Sequence, residues 1–125
     1  MTKASVLVVD DDADHRRIVS RILKAAGYRV YEARSAEEAR RLLAVRLPEA
    51  AILDWNMPGA SGVELARELR DDPRFSRMIL LLLSVNARAQ DQVKGLREGG
   101  VDFYLTKPVD GDELLARLKS LLRRA

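Results

Sequence analysis

The chain contains no cysteine. That absence excludes disulfides, thiolate chemistry and any cysteine-based zinc site. Also missing is an apolar run approaching the ~20 residues needed to cross a bilayer. Met1-Thr2-Lys3 leads straight into an apolar strand pattern and not into a signal peptide. The expectation is a cytoplasmic protein with no membrane partner. Charge of one sign is not concentrated either. The net charge is +3 and the pI about 9.5, yet arginines and lysines are spread along the chain and interleaved with acids. A nucleic-acid surface needs a basic stripe, so this domain alone is not expected to bind nucleic acid. There is no linker, internal repeat or low-complexity segment. What is present is 125 residues, 47% hydrophobic and 33% charged, which fits a single domain over residues 1–125 with one core.

The organising stretch is Ala50-Ala51-Ile52-Leu53-Asp54-Trp55-Asn56-Met57-Pro58-Gly59. A short apolar run closed by turn residues reads as a buried strand of a parallel sheet, and it places Asp54 at the strand's carboxyl end. Open α/β sheets hold their ligands at that end. Around it, Ser5 to Val9 reads as a first strand ending at Asp10-Asp11-Asp12. A helix from about Ala13 to Ala26 follows, carrying Ile18, Val19, Ile22 and Leu23 and stopped by Gly27. Tyr28 to Ala33 is a more polar strand, placed at an edge. Ser35 to Glu38 has capping-box spacing and opens a second helix. A third runs from Gly62 to about Arg70 and is broken by Asp71-Asp72-Pro73. Met78 to Leu83, the most apolar strand, should be central, and it ends at Ser84. A weakly amphipathic helix near Ala87 to Glu98 precedes the strand Asp102 to Thr106, which ends at Lys107-Pro108. Asp110 to Glu113 caps a last helix with a leucine stripe. Strands alternating with helices imply parallel pairing and right-handed crossovers. The expected fold is a three-layer doubly wound α/β sandwich with a five-stranded parallel sheet.

In such a sheet the carboxyl ends share one edge. Asp10 and Asp11, Asp54, Ser84 and Lys107 all fall there. A single polar strand end is ordinary, but acids, a hydroxyl and an amine gathered on one edge make a site. Crowded carboxylates raise each other's pKa unless a cation intervenes, and an all-oxygen donor set favours Mg²⁺ or Mn²⁺. A metal, a lysine and a hydroxyl around one carboxylate form a pocket for phosphoryl oxygens, with that carboxylate free to attack phosphorus.

Val8-Val9-Asp10-Asp11, Asp54-Trp55-Asn56-Met57-Pro58-Gly59 with Gly62, Leu83-Ser84 and Tyr104-Leu105-Thr106-Lys107-Pro108 together resemble the receiver domain of two-component response regulators, of the chemotaxis-regulator type. The resemblance covers nearly the whole chain and implies a flavodoxin-like strand order 2-1-3-4-5. It implies that Asp54 accepts a phosphoryl group from a histidine kinase or histidine phosphotransfer protein. It implies Mg²⁺ held directly by Asp11, Asp54 and the Asn56 backbone carbonyl, with Asp10 acting through water. Ser84 is then the switch hydroxyl, Lys107 the phosphate-contacting amine and Tyr104 the aromatic that swings inward on activation. A cis bond is expected before Pro108. The resemblance implies output through the face made by the Ala87–Glu98 helix, the last strand and the last helix, toward an effector protein or an output domain. It describes a signalling phosphoacceptor and not a classical enzyme. The chain departs from the family at Val85, where a small residue is usual and a branched one narrows access to the phosphoryl group.

Two rival readings fit less well. A phosphate-independent interaction module would not need the loaded edge. A Mg²⁺-dependent phosphatase with an aspartyl intermediate usually needs a second acid two residues after the nucleophile, where this chain has Asn56. Three further features invite attention. His15, the lone histidine, reads as a solvated residue near the site's mouth, and Trp55 as a partly exposed loop aromatic without catalytic duty. Arg16, Arg17, Arg21 and Lys24 read as a solvated helix face that an acidic partner could also use.

Overall fold

In a computed structural model describing residues 4–85, 88 and 96–124, the short apolar runs form β1 (Ser5–Val9), β2 (Arg29–Ala33), β3 (Ala50–Asp54), β4 (Ile79–Ser84) and β5 (Phe103–Thr106). The amphipathic stretches form α1 (Ala13–Ala25), α2 (Ala36–Leu43), α3 (Gly62–Asp71) and α4 (Gly111–Arg124). The strands pair in parallel in the order β2-β1-β3-β4-β5. This is the expected flavodoxin-like order, with the polar β2 at an edge. β4 is an interior strand beside the middle strand, β3.

Period-two alternation divides the core into two layers, where the composition alone had implied one. Leu7, Val9, Leu53, Leu80 and Leu82 point to one face, against Ala39 and Leu43 of α2 and Leu65 and Leu69 of α3. Val6, Val8, Ile52, Leu81 and Leu83 point to the other, against Val19 and Leu23 of α1 and Leu114 and Leu118 of α4. A parallel sheet covered on both faces leaves its inner strands no polar side, which is why Leu80 to Leu83 is an unbroken leucine run. Each such side chain contributes ~1.5–3 kcal/mol of burial.

Helix starts follow the capping chemistry. Asp12 accepts the N–H groups of Asp14 and His15 to begin α1. Ser35 accepts from Glu38 N–H, while the Glu38 carboxylate reaches back to Arg34 N–H and so closes the capping box one residue early. Asp72 is extended, as a residue before proline must be, and ends α3.

Three expectations need correction or limits. Ile18 is 51% exposed, because the inward arc of α1 runs through Val19, Ser20 and Leu23 and leaves it on the flank. Asp102 does not join β5. Its N–H still donates to the Leu80 carbonyl at 2.8 Å, but the Leu80 N–H goes to the Asp102 carboxylate at 2.8 Å in place of a main-chain carbonyl. Arg70 then anchors that turn, donating to the carbonyls of Gly100, Ser76 and Met78 and to Asp102. The Ala87–Glu98 helix lies largely outside the described residues, which show a helical turn at 96–98.

Gly62 holds the end of β3 against α3. Its N–H donates to the Trp55 carbonyl at 3.0 Å. A Cβ there would overlap the Asp54 carbonyl oxygen and sit 3.0 Å from Leu82 Cδ1. Gly62→Ala is therefore expected to cost ~1–3 kcal/mol by overpacking against backbone, read as a fall in Tm of roughly 4 °C or more. A Tm within about a degree of wild type would show that the strand end can move aside freely.

Candidate functional site

The register dictates what meets at the carboxyl edge. Val9 pairs with Leu53, so the next residues, Asp10 and Asp54, emerge side by side from adjacent strands. Asp54 is itself paired with Leu83, and Ser84 with Thr106, so all these groups lie on the same rim. Asp10, Asp54 and Ser84 are buried, at 2%, 4% and 1% exposure. Asp11 stands exposed beside them. Donor oxygens of Asp10, Asp11 and Asp54 come within 4.8 Å of one another. Lys107, carried just past β5, places Nζ 3.0 Å from Asp54 Oδ1 and 3.4 Å from Asp10 Oδ2. Its backbone N–H donates to the Ser84 carbonyl at 2.8 Å, and the Lys107–Pro108 bond is cis, as expected.

Electrostatics set the two buried acids apart. Burial pushes the Asp54 carboxyl up to about 7, with the neighbouring Asp10 charge adding to the rise and Lys107 opposing it. Burial acts on Asp10 the same way but is outweighed by the Asp12 N–H, His15 and Lys107, so Asp10 lies below its ordinary value. Burial alone would depress Lys107, yet Asp54 and Asp10 hold its amine above the usual lysine range. Two of the three carboxylates, Asp10 and Asp54, share the Lys107 ammonium, and Asp11 stands beside them. A hard divalent cation fits such a donor set, because every ligand atom is oxygen and the negative charge exceeds what Lys107 neutralises.

The surroundings refine the sequence reading. Asn56 is exposed in the loop after β3. Tyr104 is buried at 8%, and its ring meets Trp55 edge-on at 5.9 Å between centroids, so the aromatic already sits inward. Trp55 is half-buried by this packing. Val85 is 70% exposed, so its branched side chain spends its bulk in solvent. Arg16 leaves the proposed steering face. Its guanidinium donates to the Asp10 carbonyl at 2.8 Å and to Glu32 at 3.2 Å, since the first turn of α1 lies directly over the end of β1. His15 is not a solvated residue either. Its Nδ1 lies 2.6 Å from Asp10 Oδ2. The signal for both was available in the spacing: helix positions five and six residues after a strand-end acid come back over it.

Comparisons with known proteins agree with this geometry. The profile of the response regulator receiver domain matches residues 6–119. The chain is 39% identical to the phosphate regulon transcriptional regulatory protein PhoB of Pseudomonas aeruginosa, over 99% of this chain and 54% of that protein. It is also 39% identical to the transcriptional regulatory protein GltR of the same organism, over 97% of this chain and 50% of that one. The chain thus spans about half the length of these curated relatives. Among solved structures, the receiver domain of a signal transduction histidine kinase from Syntrophus aciditrophicus superposes with a TM-score of 0.90 at 29% identity, over 98% of this chain and 92% of that one. The chemotaxis response regulator CheY4 of Vibrio cholerae does so at 0.88 and 29%, over 96% and 99%.

The raised Asp54 carboxyl gives a pH signature in metal-free protein. Between its ordinary value of 3.8 and about 7 the folded state holds a proton that the unfolded chain has released. This contribution is complete below the lower value and is lost as pH rises through the upper one. With chelator present, wild type is expected to lose stability from about pH 5 to about pH 8 relative to Asp54→Asn, by on the order of 1 kcal/mol or more. Parallel Tm profiles for the two proteins would show that Asp54 does not carry that proton.

Proposed function

Because the chain belongs to the response regulator receiver domain family, we propose that Asp54 is its phosphoacceptor and takes a phosphoryl group from a phosphohistidine donor. The observation that carries this reading is the shared Lys107 ammonium between two buried, adjacent carboxylates. An Asp54 oxygen forms the new bond to phosphorus as the bond from phosphorus to the donor imidazole breaks. Lys107 Nζ, already against Asp54 Oδ1, offers a fixed positive charge to the phosphoryl oxygens as charge develops on them. Ser84, one strand over, offers its hydroxyl. Mg²⁺ bound by Asp11, Asp54 and the Asn56 carbonyl, with Asp10 acting through water, would neutralise the remaining negative charge. The donor set described above fits it.

The donor would be a sensor histidine kinase or a histidine phosphotransfer protein, and the reader an effector protein or an output domain. The domain assists its own phosphorylation and hydrolysis by positioning and charge, without turning over a substrate of its own. No observation favours the phosphate-independent reading, since the acids, the amine and the hydroxyl are all in place. Phosphorylation adds about −1.5 to −2 charge and three acceptor oxygens at the end of β3. Ser84 moving toward them alters the space beside β4, where Tyr104 packs against Trp55 from β5. The readout face is then the segment between Ser84 and Asp102 together with β5 and α4.

Two measurements test this. Acetyl phosphate with Mg²⁺ is expected to add one base-labile phosphoryl group by intact mass, and Asp54→Asn to abolish it; labelling that persists in the Asn variant would move the nucleophile elsewhere. Hydrogen exchange with beryllofluoride is expected to change across residues 84 to 107, and less so in Ser84→Ala. Changes restricted to the loops around Asp11 and Asp54 would separate ligand binding from the readout face.

A further inference from the structure

His15 has a place in this site that its type and position alone do not announce. It sits in the first turn of α1, where its N–H is fixed by the Asp12 carboxylate at 3.2 Å. Its side chain is 14% exposed, and Nδ1 approaches Asp10 Oδ2 to 2.6 Å. A carboxylate has only acceptors to offer when ionised, so the ring nitrogen must be the donor. The Asp10 carboxylate is then held at both oxygens: Oδ1 accepts the Asp12 N–H at 2.9 Å, and Oδ2 accepts from His15. The competing partner of Oδ2 is Lys107, at 3.4 Å, beyond the ~2.7–2.9 Å of a strong charge-assisted bond. Lys107 instead leans toward Asp54, at 3.0 Å. The short histidine contact thus does two things. It fixes the rotation of Asp10, and it leaves Lys107 to the acceptor carboxylate.

We propose that His15 is a positioning residue of the acidic site, which orients Asp10 toward a divalent cation and keeps Lys107 directed at Asp54. A histidine N–H paired with a site carboxylate is the kind of outer contact that tunes metal affinity. This inference rests on the cation-binding reading above. His15 touches neither the phosphoryl group nor the cation and acts through Asp10. Its other ring nitrogen, Nε2, is buried without a hydrogen-bond partner among the described residues, so the ring's one polar contact in the fold is the one to Asp10.

Mg²⁺ titration followed by Trp55 fluorescence tests the idea on the whole chain, with Tm measured alongside. His15→Leu keeps bulk and removes the donor, so its Mg²⁺ affinity is expected to fall roughly 10- to 100-fold. His15→Asn returns an amide N–H near the position of Nδ1 and is expected to restore affinity to within about threefold of wild type, whereas His15→Gln, whose amide reaches toward Nε2, should not. A merely structural histidine would not separate Asn from Gln in this way. Equal Mg²⁺ affinity in wild type, Leu, Asn and Gln variants would overturn the proposal. Should the Leu variant not fold, the contrast between Asn and Gln decides alone. The Asp11→Asn variant separates the two layers of the argument. If wild type binds Mg²⁺ and Asp11→Asn does not, while the His15 variants match wild type, only this inference falls. If wild type and Asp11→Asn respond alike, the cation site itself is wrong and this inference falls with it.

Discussion

Two buried carboxyl groups, Asp10 and Asp54, stand on neighbouring strands with one ammonium between them. Parallel pairing of β1 with β3 makes this unavoidable, because the residues after the Val9–Leu53 pair fall side by side. Removing one carboxylate from water is costly, and removing two side by side is more so. Much of the local structure can be understood as managing that cost. The start of α1 donates its Asp12 N–H to one Asp10 oxygen, and Arg16 and His15 return over the strand end to hold the rest of the residue. The loop after β5 is tied to Ser84 by its backbone, which brings Lys107 across. The deficit of positive charge that remains makes this edge a candidate cation site, on which the proposed phosphoryl chemistry rests.

The fold was legible because the strands are short and the helices amphipathic at every step but one. Leu80 to Leu83 could only be an inner strand, and β2, with Arg29 and Glu32 exposed, only an edge. The four strand-end groups were legible for the same reason, since a parallel sheet collects its carboxyl ends on one rim. What composition concealed was the division of the core, which depends on both faces of the sheet being covered. Periodicity also overstated Ile18. An i, i+4 repeat marks two adjacent stripes on a helix, and burial chooses between them by the position of the sheet. Asp102 was read into β5 because it precedes a strand pattern, yet only its N–H bonds Leu80 by main chain, and the Leu80 N–H is taken by its carboxylate.

The histidine and arginine of α1 were harder for a different reason. Both are residue types whose usual place is the surface, and a single sequence offers no periodic signal for a contact made once. The signal they did leave was their spacing from Asp10, and reading it requires the helix start to be fixed first. Asp12 is the N-cap, so the residues three and four positions later complete the first turn and come back over the strand just left. In this chain His15 and Arg16 therefore belong to the site, while Asp14 between the acids and them stays at the surface. The helix face left for a partner is correspondingly smaller, and Arg17, exposed beside Asp14, is more typical of it than Arg16.

The same reasoning locates the route out of the site. Trp55 follows Asp54 directly, and its ring is braced edge-on by Tyr104 from a strand two places away. A shift at the end of β3 therefore has a rigid aromatic contact to β5 that bypasses β4, beside the backbone link from Ser84 to Lys107. Beyond Tyr104, the turn into β5 is pinned by Arg70 and Asp102, which join α3 to the start of both β4 and β5. The amino ends of these two strands are held by that network, while their carboxyl ends meet the site. On the proposed function, a displacement starting at Asp54 would act at the carboxyl ends of β4 and β5, because the amino ends of the pair are anchored.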